Sequence, residues 1–97
     1  MTVYSVTQMR FTDRATYDRY QSKFMGVFSK FDGAVVAADE SPKVLEGEWP
    51  FEKAVILSFP SEEAFFTFAT SPEYQEISKD RVTATVSTAI LVKGIGS

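Results

Sequence analysis

The sequence predicts an α+β sandwich, with one antiparallel sheet of four main strands and two principal helices on one face. Three observations lead there. Strand-like and helix-like runs alternate in the order β-α-β-β-α-β, with a short extra helix before the last strand. Each helix-like run opens on a capping residue, at Asp13, Ser61 and Ser71. A chain of 97 residues makes one domain with a modest core.

The elements follow in order. Val3 to Phe11 (VYSVTQMRF) is rich in β-branched and aromatic residues and reads as a strand with no purely polar face. Such a strand suits a sheet covered on both sides, once by helices and once by something else. Thr12-Asp13 then caps a helix whose Tyr17, Tyr20, Phe24, Phe28 and Phe31 recur at spacings of three and four, and so share one stripe. Gly33 is expected to end that helix in a positive-φ conformation. Ala34 to Ala38 is a short strand of small residues, and Val44 to Glu46 reads as a further small strand before the Gly47 and Trp49-Pro50 turns. Lys53 to Phe59 (KAVILSF) is apolar on both faces and belongs in the centre of the sheet. Pro60-Ser61-Glu62-Glu63 starts the second helix, with its acids in the first turn where the helix dipole favours them. Ala64, Phe65, Phe68 and Ala69 form its buried stripe. Ser71-Pro72-Glu73 opens the short extra helix, ending near Arg81 or Val82, and Thr85 to Val92 is the last strand.

The two halves echo each other. Phe11-Thr12-Asp13 is matched by Phe59-Pro60-Ser61, and at the same offset Tyr17 falls on Phe65 and Tyr20 on Phe68. Two βαβ halves with equivalent helix starts are what a ferredoxin-like split βαβ fold requires.

Composition narrows the function classes. A net charge of -3 with interleaved acids and bases offers no basic stripe for phosphate, so nucleic acid is not an expected partner. There is no cysteine, hence no disulfide and no thiolate chemistry. There is no histidine, which removes the commonest general base and the commonest transition-metal ligand; neither haem nor catalytic zinc is expected, and no cofactor. No apolar run approaches the ~20 residues of a membrane span, and no secretion-signal pattern opens the chain, so a soluble cytoplasmic protein is expected.

Four features together resemble the domain-of-unknown-function 1330 family, a branch of the dimeric α+β barrel proteins. They are the aspartate-led helix with Tyr17 and Tyr20, the Val44-Leu45-Glu46-Gly47-Glu48-Trp49-Pro50 turn, the Phe59-Pro60-Ser61 helix start, and Ser71-Pro72-Glu73-Tyr74-Gln75 followed by Arg81. The resemblance spans nearly the whole chain. It implies a ferredoxin-like protomer that pairs with a second copy to close a dimeric α+β barrel, and it implies no particular reaction. The wider superfamily holds cofactor-free monooxygenases, haem-degrading enzymes, isomerases and small-ligand binders. This chain departs from the family pattern at Asp32-Gly33, where a Gly-Gly pair is common, and in a second helix made more aromatic by Phe65, Phe66 and Phe68.

A homodimer is also expected from the residues alone, because the first, third and last strands carry apolar or small side chains on both faces. Five residues are candidates for a site. Glu46, in the turn beside Gly47, is either a general base or a carboxylate that holds the loop, the commoner role for an acidic turn residue. Arg81 either clamps a carboxylate or enolate, or pairs with Asp80, Glu73 or Glu76, or caps helix carbonyls. Trp49 either roofs a ligand or packs in an interface. Tyr20 and Tyr74 have hydroxyls able to donate into a cavity, although an aromatic stripe at helical spacing is more often core. Two functions fit. One is a module binding a small apolar or anionic molecule between helices and sheet. The other is a cofactor-free isomerase or monooxygenase for a small enolisable or aromatic compound, with Glu46 as base and Arg81 or a tyrosine stabilising the oxyanion.

Overall fold

A computed structural model describes residues 1–96. The order is β1 (Val3–Phe11), α1 (Arg14–Phe28), β2 (Ala34–Asp39), β3 (Lys53–Phe59), α2 (Glu62–Ala69), α3 (Pro72–Ala84) and β4 (Thr85–Lys93). The strands form one antiparallel sheet in the order β2-β3-β1-β4, the ferredoxin-like arrangement that two βαβ halves produce. Register places Val3 opposite Phe59 and Lys93, and Met9 opposite Lys53 and Ser87. The β2–β3 ladder is irregular between Val35 and Ala37.

All three caps form as the sequence predicts. The side chains of Asp13, Ser61 and Ser71 accept from the backbone N–H of Thr16, Ala64 and Tyr74, satisfying one orphan donor at each helix start. The helices pack on the strand face that carries Val3, Leu57 and Phe59. There Phe28 meets Phe68 edge-on at 5.2 Å and Phe59 at 5.9 Å, which closes the main core.

Three expectations are corrected. Val44 to Glu46 forms no strand; residues 40–52 are irregular, with Gly47 at φ +80°. Gly33 does not end α1 in a left-handed conformation: the helix stops at Phe28 with Ser29 as its cap, and Gly33 has no positive φ. Its need for glycine is steric, because a Cβ there would sit 2.8 Å from the rings of Phe28 and Phe59. The helix after Ser71 is also the longer of the last two, at 13 residues against 8. Its end is held by tertiary contact, where the backbone N–H groups of Thr12 and Asp13 both donate to the Ala84 carbonyl.

The second face of the sheet carries no helix. Strand alternation puts Val6, Ile56 and Ile90 side by side on it, and Ile90 keeps 61% of its surface exposed. β2 and β4 are both edge strands.

Candidate functional site

Between the helices and the sheet lies a cavity of about 660 Å³. It exists because the helix-facing side of the sheet is small at its centre. Ser5 and Thr7 occupy that side of β1, and register sets Ala89 of β4 beside Thr7. Larger residues at the ends, Val3, Phe59 and Met9, meet the helices and hold them off the middle. The space therefore arises from a volume deficit in the centre of two adjacent strands.

Arg81 lines this cavity. It lies on the inward stripe of α3 with Tyr74 and Ser78, at helical spacings of three and four. Its Nε is sealed from solvent and has no hydrogen-bond partner among the described residues. The acids that might have taken it are committed elsewhere. Asp80 receives two bonds from Arg19, both 2.8 Å; Glu73 pairs with Lys30, and Glu76 with Lys79. A buried donor without a partner costs free energy.

Tyr20 and Tyr74 meet beside it, hydroxyl to hydroxyl at 3.1 Å. One proton serves the bond between them and the other is left to donate into the cavity. Burial pushes the Tyr20 hydroxyl far above its ordinary range, with Tyr74 adding to the effect, so it stays protonated. Burial also raises Tyr17, to about 12, helped by the negative charge of Glu40.

A second polar group stands at the α1 side. Lys53, only 5% exposed, donates from Nζ to Gln21 Oε1 at 2.9 Å and lies 4.9 Å over the Tyr17 ring. Glu40 Oε2 is 3.9 Å away, and the Glu40 carboxylate is gripped by both terminal Arg14 guanidinium nitrogens, at 2.7 Å to Oε1 and 2.9 Å to Oε2. Burial lowers the Lys53 pKa, and Glu40 opposes that shift. Gln21 and Tyr17 both line the cavity. Neither Gln21 nor Lys53 is a candidate from sequence reasoning, yet a signal was there. Lys53 shares strand alternation with Val55, Leu57 and Phe59, so it is a charge on a core-facing side.

Of the five sequence candidates, the protomer brings Arg81, Tyr20 and Tyr74 to one cavity. Glu46 and Trp49 are not among its lining residues. Glu46 is exposed in the irregular loop, next to Leu45, which is 91% exposed. Trp49 is half-buried against Phe51 with ring centroids 5.5 Å apart, and its Nε1 is sealed without a partner among the described residues. Among the described residues no cluster of three or more His, Cys, Asp or Glu side chains could hold a metal ion, and no helix is long and apolar enough to cross a membrane.

Residues 2–95 match the family described as Domain of unknown function (DUF1330), and the chain belongs to that family. No curated protein matches it in sequence. Among solved structures it is similar to RPA0582, a protein of unknown function from Rhodopseudomonas palustris, at 22% identity and a TM-score of 0.83, over 99% of this chain and 84% of that one. It is similar to SnoaB, a cofactor-independent oxygenase from Streptomyces nogalater, at 13% identity and a TM-score of 0.69, over 99% and 95% of the two chains. A dimeric ferredoxin-like protein of unknown function from Jannaschia sp. CCS1 aligns at 12% identity and a TM-score of 0.74, over 97% and 100%. At these identities the likeness is one of fold.

Proposed function

We propose that this chain works as a homodimer in which each protomer binds a small, mostly apolar molecule through an anionic oxygen, in the cavity between helices and sheet. The observation that carries the reading is Arg81 Nε, buried on the cavity wall without a partner while neighbouring acids are paired to other cations. A guanidinium has only donors to offer and suits a carboxylate or enolate. The free proton of the Tyr20–Tyr74 pair adds a neutral donor, and Phe24, Leu57 and Phe68 supply apolar wall.

Dimer formation rests on the open sheet face. Val86, Ile90 and Val92 are exposed there on β4, beside Val6 and Ile56, and both sheet edges are unpaired among the described residues. A second copy, meeting face to face across a two-fold axis, covers this surface and closes a dimeric α+β barrel. Dimeric ferredoxin-like neighbours support the same assembly.

A second reading is favoured by the fold's likeness to a cofactor-independent oxygenase and by the donors at Arg81 and the tyrosine pair. In it the protein is a cofactor-free isomerase or monooxygenase for a small enolisable or aromatic compound. Arg81 and the tyrosines stabilise the developing oxyanion. Glu46 serves as base only if its exposed loop is carried to a cavity by the second copy.

Thermal-shift screening of small aromatic and aliphatic carboxylates tests the binding reading. Ligands that raise the Tm of the wild type but not of Arg81→Ala are the expected result. Carboxylates that stabilise both proteins equally, or neither, overturn it. For the enzymatic reading, cofactor-free turnover that survived both Glu46→Gln and Arg81→Ala would rule out these roles.

A further inference from the structure

Lys53 and Gln21 form a polar pair that the Arg81 reading does not use. An ammonium can only donate, so the Gln21 atom 2.9 Å from Lys53 Nζ must be the amide oxygen. That contact settles the orientation of the amide. Its NH2 therefore points away from Lys53, and no described residue accepts from it. Lys53 is itself fixed on three sides: by the Tyr17 ring, by Glu40, and by its place on β3 opposite Met9. Glu40 is in turn held by Arg14. A lysine only 5% exposed thus has its charge pinned behind a glutamine on the cavity wall. Polarisation of the amide by that charge makes the NH2 a better donor.

Two residues with donors then line one cavity from different helices: Arg81 on α3, cationic, its Nε without a partner among the described residues, and Gln21 on α1, neutral and oriented. Between them the wall is apolar or tyrosine. Resting on the reading of Arg81 as the anion contact, we infer that the ligand is a small keto acid: its carboxylate meets Arg81, and a second, neutral carbonyl oxygen accepts from the Gln21 NH2. Lys53 is a positioning residue that never touches the ligand. It sets which amide atom Gln21 presents, and so offers the ligand a donor that calls for an acceptor oxygen.

The test uses the full chain, with benzoate and ortho-, meta- and para-acetylbenzoate as probes, titrated by calorimetry. The three isomers act as a ruler for the distance between Arg81 and Gln21. At least one acetylbenzoate is expected to bind the wild type about three- to tenfold more tightly than benzoate, the worth of one net hydrogen bond. Gln21→Leu, at an exposed helix position, should erase that ratio. Lys53→Met should reduce the same ratio; if circular dichroism shows that variant unfolded, the Gln21→Leu ratio decides alone. Equal binding of all probes by the wild type, with benzoate still lost in Arg81→Ala, overturns the keto-acid assignment and leaves the anion site standing. So does a gain that survives Gln21→Leu. Benzoate binding indifferent to Arg81→Ala, or no binding of any probe, overturns both.

Discussion

On the helix-covered face of the sheet, Val3, Leu57 and Phe59 are buried under Phe28 and Phe68; on the opposite face, Ile90 of β4 keeps 61% of its surface exposed. The same strands make both faces, one residue out of phase. The covered face is large at its ends and small in the middle, with Ser5, Thr7 and Ala89 under the cavity. The open face is apolar at its centre, with Val6 flanked by Ile56 and Ile90, and carries Gln8 and Thr88 next along the strands. A hollow flanked by well-packed ends suits a small ligand, whereas an exposed apolar patch suits a partner surface.

The sharpest way to break this contrast is to cut the covered face at its firmest point. Phe28→Ala removes a ring that is 2% exposed and touches Phe24, Phe59 and Phe68. It should cost about 3–5 kcal/mol, measured by urea unfolding. A cost under about 1 kcal/mol would mean that the helical layer is not the main core.

Next in size is the open face. Ile90→Lys places a charge where the second copy is proposed to dock, and should weaken self-association by about tenfold or more, read by sedimentation equilibrium. The far-UV spectrum should remain that of the wild type. A wild type already monomeric at high micromolar concentration would remove the assigned role of this face.

A smaller effect comes from Tyr17, where the covered face meets the ionic cluster of Lys53, Glu40 and Arg14. Its hydroxyl ionises near 10 in the unfolded chain and at about 12 in the folded one. Between those values the unfolded state has lost a proton that the folded state keeps, so stability is full below pH 10 and falls as pH rises toward 12. Tyr17→Phe should flatten that fall in urea titrations above pH 10. Tyr20 contributes in the same direction, since its pKa is also raised, so the flattening will be partial. An unchanged slope in Tyr17→Phe would show that the Tyr17 hydroxyl is not shielded as described.

The smallest expected change in stability is at Arg81. Arg81→Met replaces an unpartnered buried nitrogen by apolar volume and should alter stability by less than about 1 kcal/mol, or raise it, while abolishing carboxylate binding. A large loss of stability would mean that Arg81 is a structural group and not a site held open.

Much of this was legible in the chain itself. The helix starts at Asp13, Ser61 and Ser71 are local chemistry, since a side-chain oxygen reaches an N–H three residues on. The aromatic stripe from Tyr17 to Phe28 is a periodicity, and it foretold the inward side of α1, although Phe31 falls beyond the helix end. Tyr20, Tyr74 and Arg81 were selected for their chemistry, and they do meet at one cavity. Where local reading failed, the reason was tertiary. Gly33 looked like a helix stop, but it is required by two rings, one of them 26 residues further along the chain. Val44 to Glu46 had strand-like composition, but it pairs with no strand among the described residues.

By itself, the sequence determined the element order, the caps, the two-sided apolar strands and the absence of thiol and imidazole chemistry, because each of these is set by neighbours a few residues apart or by composition. Only the tertiary structure decided the cavity and what lines it. The hollow depends on Thr7 and Ala89, far apart in the chain, being small at the same place in the sheet. The setting of Arg81 depends on packing that seals its Nε on the cavity wall, while Asp80, Glu73 and Glu76 pair with Arg19, Lys30 and Lys79. The orientation of Gln21 depends on a lysine that strand alternation turned inward under it. Cavity volume and ion pairing are sums over residues brought together from across the chain, and no local window of sequence contains them.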